Sequence, residues 1–240
     1  RPWEEIAGLL EAIPEFRPLR RIALLKPLVR RVLTMDAPER LLAPLLKRLR
    51  QEAPSRRNDP GYWVLRAAAT HPDAERDRGL FFLYLLNLVS LRPGEGTYQP
   101  AGVLHAYLEG TNVELMANSD NVLRAGLTRK HVDPAELLRT ISFEMGIPPI
   151  LRGESKGKGE RVYRTPSTEF ELARIQVAAG TRRKREARGP AILLVTDGAA
   201  IVGGIPLRRG QSVFAKDESY VIEAGDSPAV LFEAGRTGRS

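Results

Sequence analysis

The chain contains no cysteine. That excludes a disulfide framework and any thiolate metal site, and it fits a reducing compartment, so the cytoplasm is the expected location. Histidine is almost as scarce, with 3 in 240 residues. A histidine-rich metal site cannot be assembled from so few. Long apolar runs are missing too: the longest, GLFFLYLLNLVSL from Gly79 to Leu91, is too short to span a bilayer and lies far from the N-terminus, where a signal peptide would be. A soluble protein with no membrane partner is expected. Aromatic residues make up only 6%, and neither an RNP-like aromatic motif nor zinc-finger spacing is present, which argues against nucleic acid as a partner.

What is present is ordinary globular chemistry, with 42% hydrophobic and 28% charged residues, enough for one large domain or two to three small ones. Lys and Arg total 37 against 29 Asp and Glu, a formal charge of +8, which attracts anions such as phosphate esters. Much of the excess is arginine on helical segments such as RPLRRIALLKPLVRRVL, the pattern of a solvated helix face.

From Trp3 to about Thr70 the apolar residues recur every three to four positions, as in Leu24, Leu25, Leu28, Val32 and again in Leu41, Leu42, Leu45, Leu46, Leu49. This spacing predicts helices. Asp36 is a candidate N-cap, with Glu39 three residues on as in a capping box, while Pro14, Pro27 and Pro44 are expected to break or kink the segments. Beyond residue 80 short apolar blocks, LLNLVSL, HAYL, NVEL and NVLRAGL, alternate with turn residues and read as strands. A Pro-rich then Gly/Lys-rich connection, GIPPILRGESKGKGERVY, precedes further strand-like segments, FELARIQVAAG, AILLVTDGAAIV, GQSVFAKDESYVIEAG and PAVLFEAG. Both β regions carry a Gly-turn ahead of a strand (LRPGEGTYQPAG and LRRGQSVFAKDE), but the second has no histidine. A structural or interaction role is expected for it.

One stretch carries site chemistry: GEGTYQPAGVLHAYLEGTNVELMANSDNVLRAGLTRK, Gly94 to Lys130. Turns at Gly94 and Pro100–Gly102 deliver His105 into an extended segment, where alternation puts His105 and Tyr107 on one face. By residue type alone His105 can be a structural histidine or a ligand, and Asp120 in NSDN reads as a turn residue. Arg124 can be an ion-pair residue and Lys130 a solvated one, whereas Glu114 within an apolar segment would need a partner if buried.

The spacing of Gly94, Pro100, Gly102 and His105 resembles the second signature motif of the cupin superfamily. HAYLEGTNVELMANSDNVLRAGLTRK closely resembles the signature of type I mannose-6-phosphate isomerases, departing from it at Arg129, where the family usually has proline. LLNLVSLRPGEGTYQPAGV and TPSTEFELARIQV are similar to flanking family segments. The resemblance implies zinc as cofactor, a sugar phosphate as substrate, and interconversion of mannose 6-phosphate and fructose 6-phosphate. It implies His105 as a zinc ligand, Arg124 as the cation facing the substrate and Asp120 as an acid or base for ring opening. Glu114, Tyr107 and Lys130 would line the sugar-phosphate pocket. The alternative is a non-catalytic cupin-like module that binds sugar phosphate without metal.

The implied fold is mixed α and β: a helical domain over 1–79, the C-terminal half of a catalytic cupin barrel (jelly roll) over 80–155, and a C-terminal cupin-like β domain over 156–240. In the family the other zinc ligands, a Gln-x-His pair and a glutamate, lie N-terminal to the helical segment with the first half of the barrel. That half is expected in cis, and the 240-residue chain alone is expected to be inactive. His71, in ATHPDAERDRG, has Ala69 where the family's upstream ligand motif has glutamine and is expected to be exposed; His131 is expected at the surface.

Overall fold

The computed structural model describes residues 1–119, 121–157, 159–186, 189–216 and 219–235. The chain forms two compact units. One comprises Arg1–Ser90, Gln99–Gly110 and Asn121–Pro148, the other Leu91–Tyr98, Thr111–Asp120 and Pro149–Ser240.

The first unit is helical: α1 (Trp3–Ala12), a 3-10 turn at Pro14–Leu19, α2 (Leu25–Thr34), α3 (Glu39–Glu52), α4 (Pro60–Thr70), a 3-10 turn at Ala74–Arg76, α5 (Gly79–Leu85) and α6 (Pro134–Thr140). Its boundaries follow local chemistry. Asp59 caps α4 by accepting from Gly61 N at 2.8 Å, and Asp133 caps α6 by accepting from Glu136 N at 2.9 Å, each followed by proline at the first helical position. Asp36 does not cap α3; Pro38 holds that position, without a side-chain cap.

Pro14 does fall at a break, opening the 3-10 turn that follows the end of α1, whereas Pro27 and Pro44 act more mildly. Pro27 falls in the first turn of α2, where no helical N–H is lost. Pro44 lies inside α3 without ending it, because its face is exposed and water can reach the carbonyl it leaves unpaired. The core joins Leu28 and Val32 of α2 to Leu42, Leu45 and Leu46 of α3. Phe16 packs at 5.4 Å from Phe81 and edge-on at 5.1 Å to Tyr84.

Every residue of α5 is buried. It takes in Leu85, the first residue of the block LLNLVSL, and corrects the strand reading there, since a short, wholly apolar run suits a core helix as well as a strand and periodicity cannot separate them. The blocks HAYL, NVEL and NVLRAGL are not strands either. Among the described residues between 86 and 153 the only ladder contact is one bridge, Gly96 to Leu151. Alternation sets the faces of an extended segment, but a strand also needs a neighbouring strand in register with it, and among the described residues none pairs with these segments. Among the described residues no closed barrel forms. No helix there is long and apolar enough to cross a membrane.

The second unit is built on two antiparallel sheets. One has the order β1 (Glu154–Gly157), β2 (Glu160–Tyr163), β3 (Glu171–Val177), β10 (Ala229–Gly235), β5 (Ala191–Asp197), β8 (Ser212–Ala215); the other runs β4 (Arg182–Arg185), β9 (Tyr220–Ala224), β6 (Ala199–Val202), β7 (Ile205–Arg208). Alternation here does make strands: in β5, Ala191, Leu193 and Val195 point into the core while Ile192 is exposed. The β6–β7 hairpin turns on Gly203 and Gly204, both at positive φ, as a two-residue loop of the primed type requires. Ile175, Leu193, Val195, Ile222 and Leu231, drawn from both sheets, form one core.

Candidate functional site

The turn before His105 is fixed against α6. Gly102 has φ +80°, its carbonyl accepts from Ser142 N at 2.9 Å, and a Cβ there would lie 2.9 Å from Thr140 O. Only glycine suits so close an approach at that φ. Leu104 packs on the helical core, which turns the next side chain outward. At the far end of the segment, Glu109 pairs with Arg57 of the same unit at 3.0 Å.

His105 is exposed. Its Nδ1 lies 3.1 Å from Val103 O. A hydrogen bond there makes Nδ1 the protonated nitrogen and leaves the Nε2 lone pair available as a donor to a metal. Tyr107, 63% exposed, stands edge-on to the ring with centroids 6.0 Å apart, so the two predicted to share a face are neighbours.

Arg124 is half-buried between Leu123 and Ala125, which pack on the helical core, and makes no ion pair with another described residue. Lys130 is exposed, with its backbone N–H donating to Thr128 Oγ1 at 3.1 Å. Glu114, in the second unit, is exposed between half-buried Val113 and Leu115; the partner that a buried carboxylate would need is therefore not required. Asp120 lies outside the described residues.

Among the described residues no three of His, Asp and Glu converge on a point that could hold a metal. His105 offers one donor, and a catalytic zinc takes three protein ligands. The described residues do not by themselves fit the ion. His131 is exposed. An open apolar recess lined by Leu24, Lys26, Arg30, Phe143 and Met145 includes none of the predicted site residues.

His71 corrects its expected exposure. It is half-buried, with Nδ1 2.9 Å from Ala67 O and 3.1 Å from Thr70 Oγ1, and Nε2 3.1 Å from Leu127 O. Asp77, not singled out from sequence, reaches the same loop: its Oδ2 accepts from Leu127 N at 2.8 Å, and its Oδ1 from Leu127 N at 3.0 Å and from Gly79 N at 2.7 Å. The D-x-G pattern ahead of an apolar helix was the available signal.

No protein-family model matches the chain. Mannose-6-phosphate isomerase 1 of Arabidopsis thaliana is 30% identical over 266 residues, covering 99% of this chain and 60% of that protein. Mannose-6-phosphate isomerase of Salmonella typhimurium is 33% identical over 244 residues, covering 98% and 58%. A solved variant of phosphomannose isomerase from Salmonella typhimurium matches with TM-score 0.80 and 28% identity over 98% of this chain and 62% of that one; the apo form of the enzyme from that organism gives 0.70 and 27% over 99% and 62%.

Helical unit and two-sheet β unit together define a mixed α and β protein with the fold of the matched part of those phosphomannose isomerase structures. The chain belongs to the mannose-6-phosphate isomerase family. It spans 58 to 60% of the length of these curated relatives.

Proposed function

We propose that this chain is the substrate-facing portion of an aldose–ketose isomerase that interconverts mannose 6-phosphate and fructose 6-phosphate. The observation that carries this reading is similarity over 98 to 99% of the chain to proteins named for that substrate. Moving hydrogen between C1 and C2 requires ring opening, a base beside the carbonyl, and a cation to stabilise the enediolate. Arg124, a half-buried guanidinium with no ion-pair partner among the described residues, suits the last task. Asp120 is proposed for ring opening. Lys130, Tyr107 and Glu114 are proposed to line the sugar-phosphate site.

The cofactor we propose is zinc, with His105 contributing one donor beside ligands not found among the described residues. A cupin-like reading of the β unit, and of the segment around His105 as part of a barrel, belongs to the same proposal. On this reading the free chain binds sugar phosphate but turns it over little or not at all.

Calorimetry with mannose 6-phosphate tests it, with and without a chelator and with Arg124→Ala. Binding weakened about tenfold or more by the substitution is expected, given the loss of a charge-assisted contact. Absence of binding, or equal binding by the variant, would defeat the proposal. A metal-free module and a metal-assisted one separate by the chelator arm.

A further inference from the structure

Leu127 is a non-glycine residue in the left-handed region, at φ +52°, a conformation that costs a β-carbon residue energy and persists only where the surroundings over-determine it. Here both of its backbone polar groups are gripped. The N–H donates to both oxygens of Asp77, at 3.0 and 2.8 Å, and the carbonyl faces His71 Nε2 at 3.1 Å. The preceding residue, Gly126, has φ +149° and lies so close to the start of α5 that an added Cβ would sit 2.5 Å from both N and Cα of Gly79. A Cβ on Gly79 would in turn meet Leu127 N at 2.6 Å. Asp77 Oδ1 also accepts from Gly79 N at 2.7 Å, so one carboxylate ties the helix start and the loop together.

We propose that Asp77 and His71 are positioning residues that clamp Leu127 and thereby fix the placement of Arg124 and Lys130. Arg124 precedes the clamped residue by three positions and Lys130 follows by three. Each is thus within about 10 Å of extended chain from the clamp, and Leu123 and Ala125 further restrict Arg124 by packing on the core. Neither Asp77 nor His71 touches substrate in this scheme. The part concerning Arg124 rests on the isomerase reading above; the clamp itself does not.

Amide exchange and calorimetry on the full chain test the two parts separately. In Asp77→Ala the Leu127 amide is expected to exchange roughly 10- to 100-fold faster, the scale of one lost charge-assisted hydrogen bond, while the amide of Leu46, deep in α3, keeps its rate. Affinity for mannose 6-phosphate falls about tenfold, and adding Asp77→Ala to Arg124→Ala causes no further loss, because Asp77 acts through Arg124. His71→Gln, which keeps a donor for Leu127 O, retains affinity where His71→Leu loses it. Unchanged exchange at Leu127 in both Asp77→Ala and His71→Leu overturns the clamp, and losses that add in the double variant overturn the positioning role. If Leu46 also exchanges faster in Asp77→Ala, the pair of His71 variants decides. Should the unaltered chain bind no mannose 6-phosphate, the isomerase reading fails while Leu127 exchange still judges the clamp.

Discussion

Arg185 of β4 reaches Glu233 of β10 with two nitrogens, Nε to Oε2 at 2.9 Å and Nη2 to Oε1 at 2.5 Å, joining one sheet of the β unit to the other. Its remaining Nη1 goes to Glu160 of β2 at 2.9 Å, Arg183 pairs with the same glutamate, and Tyr220 OH donates to Glu233 Oε2 at 2.6 Å. Burial, reinforced by the neighbouring Glu233, pushes the Tyr220 hydroxyl up, so it stays a donor at neutral pH. Removing Arg185 takes the paired cation from half-buried Glu233 and leaves Glu160 with Arg183. Arg185→Ala is expected to destabilise the β unit by about 3–5 kcal/mol, measured by urea unfolding followed by amide exchange at the core strand residues Leu193 and Leu231. A change under about 1 kcal/mol would show the network to be solvated.

Acid sensitivity of the helical unit is expected to centre on Glu15. Burial opposes ionisation of this carboxyl, but hydrogen bonds from Arg48, at 3.0 Å to each oxygen, outweigh it, and the group is held below its ordinary value of 4.5. The unfolded chain therefore takes up the proton first. Stability from this pair is complete above 4.5 and is lost as pH falls through the lower, folded value. Urea midpoints measured from neutral pH downward are expected to fall in that acid range for the native chain, and less steeply for Glu15→Gln. Parallel profiles for the two would reject the assignment.

Legibility differed between the parts of the chain for physical reasons. The helices of residues 3–70 and the strands of the β unit were readable because each buries one face, so core spacing is written into Leu42, Leu45, Leu46 and Leu49 or into Ala191, Leu193 and Val195. Residues 79–85 were not, because burial on all sides erases the period. The alternation around His105 gave its shared face with Tyr107 but not its lack of ladder partners, which depends on what lies alongside. Asp77 and His71 were invisible as a pair because their meeting point, Leu127, lies 50 and 56 residues further along the chain.

The contact of Gly79 with Gly126 leaves no room for a β-carbon. Gly126→Ala would set a methyl group 2.5 Å from the Gly79 backbone at a φ of +149°, combining a steric conflict with a conformation that L side chains rarely adopt. A loss of roughly 2 kcal/mol or more is expected. Gly8, whose added Cβ would meet nothing within 4 Å, is the control: in the middle of α1, Gly8→Ala is expected to be neutral or to stabilise by up to about 1 kcal/mol. Thermal melts of both variants check the contrast, and equal effects would contradict it.

His105 carries the last prediction. Its ring is exposed, yet one imidazole cannot retain zinc against dialysis when a catalytic site takes three protein ligands and a water. Metal analysis of the dialysed 240-residue chain is expected to give well below one zinc per chain. His105→Ala is expected to lower whatever weak zinc binding remains, without a measurable change in melting temperature, since the ring and its neighbour Tyr107 are both exposed. Coupled-enzyme assays of the same preparation are expected to show little or no conversion of mannose 6-phosphate. Stoichiometric zinc together with normal turnover would mean that this chain assembles its donor set from residues other than those placed here.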